Sequence, residues 1–446
     1  LGREIGVHAA DFGEREGRSL DVPALLLTAV DLRDAQLAQR LAKNYLITPV
    51  GSSGSLIDDT ENKLQYSLLG DPALKLNMPK QRAVVDSING VELTSAETLP
   101  QLKAGTVVTV KGHIETAAGD LDTEFDGVVT GMVRDAEKLI VCRLNDTTDE
   151  GADTPFEYYD RSTVLFNGSD NVKSGEFSFS FAVPKDIDYS NDSGLINIFA
   201  VNSTTEETVN GCTEDFVVGG SGSLVTDSIG PSIYCYLNSP SFVNGGNVNN
   251  TPFFVAEISD KDGINAARSG IGHDLMLIID GDMTKTYVLN DNFEYDFGSY
   301  TTGRTYYNIP ELEPGFHTLK FRAWDIMNNP STTELTFNVV RGLTPSLFSV
   351  SCSSNPASTS TKFIINHDRM GSSLNVEIEV FDIGGRPVWK HKESSVSPDG
   401  AYTVDWDLTG DDGGKLDTGV YIYRVRIGSD DSGTVSKGKK LVIINK

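Results

Sequence analysis

From about residue 83 onward, apolar and polar side chains alternate in short runs with a period of two, the pattern of strands that bury one face. GTVVTVKGHI sets Val108, Val110 and Ile114 on one face, EFSFSFAVP does the same for Phe177, Phe179 and Phe181, and GLINIFAVN is apolar enough for a central strand. Further along, Phe254, Ala256 and Ile258 share a face, and Leu275, Leu277 and Ile279 share another ahead of a turn at Asp280-Gly281. After the Pro314-Gly315 turn, Leu319, Phe321 and Ala323 are expected to face Leu335, Phe337 and Val339 across a hairpin. Val376, Ile378 and Val380 alternate with Glu377 and Glu379 up to a turn at Gly384-Gly385. Tyr402, Val404, Trp406 and Leu408 then alternate with Asp405 and Asp407, before VYIYRVRI at 420–427 and a closing KGKKLVIINK.

The first eighty residues have another texture. DLRDAQLAQRLAKNYL at 31–46 stacks Leu37, Ala38, Leu41, Ala42 and Tyr45 on one stripe, with Asp31 and Asp34 early and Arg40 and Lys43 late, which predicts an amphipathic helix. A Gly/Ser loop at 51–54 follows. In LQYSLLGDPALKLNMP, Gly70 permits a reversal, Asp71 suits a cap before Pro72, and Leu74, Leu76 and Met78 alternate into an extended segment. The fold class read from these patterns is mainly β, in tandem sandwiches. The domains are drawn at 1–80, at 81–222 (closed by a GGSGS linker at 219–223), at 223–342 as an immunoglobulin-like sandwich, and at 343–446 as a terminal sandwich.

Composition narrows the chemistry. With 37 basic and 63 acidic side chains in 446 residues the net charge is −26, which repels phosphate backbones and anionic headgroups, so nucleic-acid binding is not expected. No run of eighteen apolar residues is present to cross a membrane as a helix. The opening at Leu1 lacks the charged, apolar and cleavage regions of a signal peptide and reads as a fragment or processed product. Cys142, Cys212, Cys235 and Cys352 are widely spaced without a C-x-x-C, which excludes a zinc ribbon or a thioredoxin-like pair. A Cys142–Cys212 bridge is open to an exported protein, but four small buried hydrophobes is the favoured reading.

NPASTSTKFIINHD, EVFDIGGRPVW, TGVYIYRV and SKGKKLVIIN together resemble the C-terminal domain of proteins exported by the bacterial type IX secretion system, over roughly 345–446. LLGDPALKL, with RLAKN upstream, resembles the end of the α/β catalytic domain of gingipain-like cysteine peptidases. ISDKDGINAARSGIGHDLMLIIDG and HTLKFRAWDIMNN look like the module that precedes the terminal domain in that system's sortase family, and the order of parts fits as well. The resemblance implies the C-terminal part of a cell-surface endopeptidase and transpeptidase of Bacteroidetes-type bacteria. Such an enzyme cleaves the C-terminal signal from cargo proteins and joins them to anionic lipopolysaccharide. It also implies docking, through the terminal domain, on an outer-membrane β-barrel shuttle protein and other attachment-complex subunits at the extracellular face of the outer membrane. A gingipain-like protease cargo of the same system and a non-enzymatic surface adhesin are the alternatives.

Catalysis in that family needs a cysteine and a histidine within hydrogen-bond reach. All four cysteines fall in β regions and only His8 precedes residue 81, so no catalytic dyad is assigned in this chain. No cofactor is assigned. A structural calcium is an open alternative at Asp260, Asp262, His273 and Asp274, or at Asp411, Asp412 and Asp417, although neither has EF-hand spacing and turn capping is the commoner role. The glycines of Gly270-Ile-Gly-His-Asp274 lack a following helix and read as a bend rather than a phosphate loop. Trp324, Trp389 and Trp406 would offer a sugar platform only if exposed, and Trp406 is in phase with core residues. The residues assigned to partner docking are Gly419, Tyr421, Tyr423, Lys437, Gly438, Lys439 and Lys440. Their lysines also suit the protection of an edge strand.

Overall fold

The computed structural model describes residues 80–444 apart from 95–97, 143–154, 223–226, 268–271 and 430–431. The helix expected at 31–46, the LLGDPALKL stretch and His8 lie outside the described residues. Among the described residues the structure is strands and connections, with single-turn 3₁₀ segments at Met283–Lys285 and Asn290–Asn292 and no α-helix. The mainly β reading holds. No helix among the described residues is long and apolar enough to cross a membrane.

The first group of strands forms one eight-stranded sheet. Its spatial order is Thr208–Thr213, Leu195–Asn202, Gly127–Arg134, Val164–Lys173, Glu176–Ala182, Val107–Glu115, Arg82–Ile88 and Val91–Glu92. Thr208–Thr213 also pairs with Arg82–Ile88, in parallel at Arg82 and Asn210, so the sheet rolls up and meets itself. The rolled sheet does the work of two layers, packing its inner face on itself. Val108, Val110, Ile114 and Phe181 are wholly buried there, with Phe177 and Phe179 nearly so. Burying a side chain of this size contributes about 1.5–3 kcal/mol over leaving it exposed. Phe166 stacks on Phe179 and Phe181 at 6.1 and 5.4 Å. Gly131 makes room for these rings, since a Cβ there would run into Phe179.

The expected linker at 219–223 is in part a strand. Val217–Ser221 pairs in parallel with Gln101–Ala104, and the Gly222 amide donates to the Ala104 carbonyl at 3.0 Å. Gly220 takes a φ of +72°, a conformation open to glycine, so the GGSGS composition serves a bent edge pairing as well as a connection.

The second group makes a two-sheet sandwich. One sheet runs Ser232–Leu237, Phe253–Ser259, Thr302–Asn308, Phe293–Tyr295; the other runs Asn247–Val248, Pro330–Val339, Gly315–Trp324, Met276–Ile279, Thr286–Val288. Phe254, Ala256, Leu275, Leu277 and Ile279 are wholly buried between them. Asp280 and Gly281 have φ of 55° and 66°, both positive as a type I′ hairpin turn requires. In the long hairpin Leu319 lies opposite Leu335, but Phe337 lies opposite His317 and Phe321 opposite Thr333. The expected facing pairs are thus offset, because the 325–329 turn sets the register.

The terminal group is a smaller sandwich of Leu347–Cys352, Thr361–His367, Ala401–Trp406 against Pro387–Val396, Ser373–Phe381, Gly419–Ser429, Val435–Ile443. Its core holds Phe363, Tyr423 and Trp406, with Trp389 stacked on Trp406 at 4.6 Å. Trp324 is half-buried beside His273, at 4.4 Å between rings. None of the tryptophans forms an open sugar platform. The cysteines are unbridged, and only Cys235 is buried, its thiol pushed up to about 12 by burial. Cys212 is exposed, because its strand places it outward on the rolled sheet, so neither the bridge nor the picture of four buried hydrophobes holds.

Candidate functional site: the outer face of the terminal sandwich

The strand Gly419–Ser429 decides which side chains the terminal sandwich shows to a partner. It pairs with Ser373–Phe381 on one side and Val435–Ile443 on the other. Tyr421, Tyr423, Val425 and Ile427 turn inward, leaving Val420, Ile422, Arg424 and Arg426 on the outer face. Val420 and Ile422 are 44% and 52% exposed, which is high for β-branched residues in mid-strand. Ile422 lies opposite Phe381 on one neighbour and Lys440 on the other, and Val420 lies opposite Val442. The Arg424 guanidinium covers the Phe381 ring at 5.5 Å.

Beside this apolar end the same face carries a charge network. Glu377 pairs with Lys390 at 2.6 Å, Arg426 at 2.7 Å and Lys392 at 3.4 Å. The Lys390 ammonium, first among these, holds the Glu377 carboxyl down to about 2. Glu379 accepts from Arg424 Nε at 3.1 Å and from Lys390 at 3.2 Å, and its pKa is lowered by them in that order. With Lys440 the face sets five cations (Lys390, Lys392, Arg424, Arg426, Lys440) against two carboxylates, a local balance of 5 − 2 = +3 on a chain of −26.

The residues assigned to docking from sequence separate into three groups. Tyr421 and Tyr423 are 8% and 1% exposed and belong to the core, so they cannot touch a partner; Tyr421 donates to the Asp417 carbonyl at 2.9 Å. Lys437 and Lys439 share the inward phase of Leu441 and stand on the side of the three-stranded sheet, where Lys437 Nζ donates to the Phe348 carbonyl at 2.6 Å. Gly438 and Lys440 lie on the outer face, opposite Arg424 and Ile422, and Gly419 opens the central strand opposite Ile443. Sequence reasoning missed Phe381, Val420 and Ile422. The signal was present in VYIY, where apolar residues occupy both phases of one strand.

The open calcium sets also come apart. His273 Nδ1 lies 2.7 Å from Asp186 Oδ2 and is drawn away from Asp260 and Asp262, because Asp186 reaches across from the first sheet. Asp411 Oδ1 accepts from the Lys390 amide and Asp412 Oδ1 from the Gly414 amide, both turn roles. Among the described residues one group of metal-ligand side chains comes together, Asp227 with Asp260 and Asp262. Gly272 has a φ of +85° just before the Met276–Ile279 strand, and no helix follows it.

No protein-family model and no curated relative matches the chain. Among solved structures it is similar to dimeric latent PorU from Porphyromonas gingivalis, at 33% identity over 84% of this chain, with a TM-score of 0.42. The chain spans 35% of the length of that PorU chain. Two further matches are SGBP-B of the Bacteroides ovatus mixed-linkage glucan utilization locus, in complex with a mixed-linkage heptasaccharide, and the FN1–FN3 domains of chicken CNTN1. The first has 9% identity, covering 82% of this chain and 71% of that one, TM-score 0.24; the second has 10%, covering 81% and 98%, TM-score 0.18.

Proposed function

We propose that this chain is the C-terminal part of the type IX secretion sortase. In this reading it belongs to a gingipain-like cysteine endopeptidase and transpeptidase that removes the C-terminal signal of cargo and attaches the new carboxyl end to anionic lipopolysaccharide. The β domains position a catalytic domain that carries the cysteine and histidine. The terminal sandwich docks the enzyme, at the cell surface, on an outer-membrane β-barrel partner. The reading is carried by the ordered phrases LLGDPALKL, HTLKFRAWDIMNN, EVFDIGGRPVW and SKGKKLVIIN. The 33% identity to PorU supports it as a sequence match. The outer face supplies the physical means: an apolar end at Phe381, Val420 and Ile422 beside a basic field suited to an acidic rim.

The test is genetic. Deleting the gene from its own organism should leave surface proteins with their terminal domains uncleaved and without lipopolysaccharide. Normal processing of those proteins in the deletion strain would remove the sortase assignment.

A further inference from the structure

Asp227 stands in the segment that enters the second sandwich, ahead of the Ser232–Leu237 strand; Asp260 and Asp262 follow the Phe253–Ser259 strand. One carboxylate oxygen from each lies within 4.8 Å of the others. The Asp227 side chain is only 4% exposed. Its Oδ1 accepts from the Ile229 amide at 3.1 Å, while its Oδ2, closed off from solvent, accepts no hydrogen bond. Asp262 Oδ2 is in the same condition. The nearby cation is Lys261, whose Nζ makes long ion pairs of 3.4 Å with each of these two oxygens, on a side chain 67% exposed.

The surroundings add negative charge. Asp260 is 9% exposed, its Oδ1 accepting from the Asp262 and Gly263 amides at 2.9 and 3.2 Å. Asp325 is wholly buried, and Asn329 Nδ2 links it to the cluster by donating to Asp325 Oδ2 at 2.7 Å and to the Asp227 carbonyl at 3.2 Å. Three clustered carboxylates, with Asp325 linked to them through Asn329, thus set four negative charges beside one ammonium, a balance of 1 − 4 = −3. Buried carboxylate oxygens turned toward each other, with one long, largely exposed ammonium contact between them, are costly, and a hard divalent cation removes that cost.

We propose that Asp227, Asp260 and Asp262 hold a calcium ion that fastens the entering segment to the second sandwich. The ligand atoms are all oxygen, which selects calcium or magnesium over softer metals. A carboxylate-rich, irregular set suits calcium, with backbone carbonyls and water completing six to eight ligands. Lys261 is then a swinging substitute that the metal displaces. This inference does not depend on the secretion reading.

The experiment uses the full chain, stripped of metal with EDTA. Calorimetric titration with CaCl2 to about 10 mM exceeds the weakest range of extracellular calcium modules. The expected result is one saturable site abolished in Asp227→Asn and Asp262→Asn, together with a thermal midpoint raised by CaCl2 in the parent and unmoved in both variants. Both variants should unfold in EDTA no earlier than the parent, which shows that they are folded. Lys261→Gln should bind calcium at least as tightly as the parent. Absence of saturable binding in the parent, or parent-like binding in both aspartate variants, would overturn the proposal.

Discussion

His367 is 2% exposed in the terminal sandwich, with Nδ1 accepting from the Arg369 amide at 3.0 Å and Nε2 donating to Ser397 Oγ at 2.9 Å. Ser397 Oγ donates in turn to the Asp399 carbonyl at 2.8 Å, so the network is satisfied only by a neutral imidazole. Burial lowers the His367 pKa from 6.5 to about 4. A depressed histidine pKa means that the unfolded chain binds the extra proton first. This contribution is therefore present above pH 6.5, fades as pH falls from there toward 4, and changes no further below it. Its size is about 3 kcal/mol. Thermal unfolding from pH 7.5 to 4.5 should show the terminal transition falling, and His367→Asn should flatten that slope. A slope equal to the parent's would contradict the neutral-imidazole account. Nothing in NHD at 366–368 announced this, because burial of a histidine depends on strands that arrive from elsewhere in the chain.

At the level of elements, two strand relations carry the account. The seam that closes the first sheet brings Gly211 against Ala83, where an added Cβ would collide with the Ala83 carbonyl oxygen. Gly211→Ala should destabilise by about 1–3 kcal/mol, as overpacking does, read as a lower denaturant midpoint. The same change costing nothing would mean that the sheet is open there. On the Gly419–Ser429 strand, Tyr423→Ala should cost about 3–5 kcal/mol as a core truncation. Ile422→Lys should leave stability within about 0.5 kcal/mol yet release the protein from the cell surface. Retention of a folded Ile422→Lys protein would remove the outer face from docking.

Alternation in the sequence placed Val108, Phe181, Leu277 and Trp406 inside, since each lies in a run with one apolar phase. It failed at VYIY, where both phases are apolar and the choice is made by pairing with Ser373–Phe381. Likewise the rolling of the first sheet rests on one non-local pairing, Arg82 with Asn210, that no local pattern encodes. The acidic trio was half legible: Asp260 and Asp262 sit in one loop, but Asp227 reaches them only through the fold.

Across the whole described unit, Asp186 joins the first sheet to the second sandwich. Its carboxylate accepts from Asn328 Nδ2 at 2.8 Å and Asn265 Nδ2 at 3.0 Å and meets His273 at 2.7 Å, while Lys185 Nζ donates to the Met327 carbonyl at 3.2 Å. Tyr295 rests on Phe166 across the same boundary at 5.0 Å. Asn265 is wholly buried and its Nδ2 also donates to Asn328 Oδ1 at 3.3 Å, so Asp186→Ala leaves one of its two N–H groups unpaired, at a cost of about 1–3 kcal/mol. Differential scanning calorimetry should then resolve the first sheet and the second sandwich into separate transitions, where the parent melts these two together, apart from the terminal sandwich. An unchanged joint transition of these two would show that Asp186 does not couple them.

Under the proposed sortase reading the terminal sandwich is retained as an anchor, whereas under the cargo reading it is removed. The most direct measurement is peptide-level and intact mass spectrometry of the native protein taken from the cell surface. The account predicts recovery of the chain through Lys446, together with an upstream domain containing cysteine and histidine. A mature end near residue 345 bearing a lipid or sugar adduct would make the protein cargo and contradict the account.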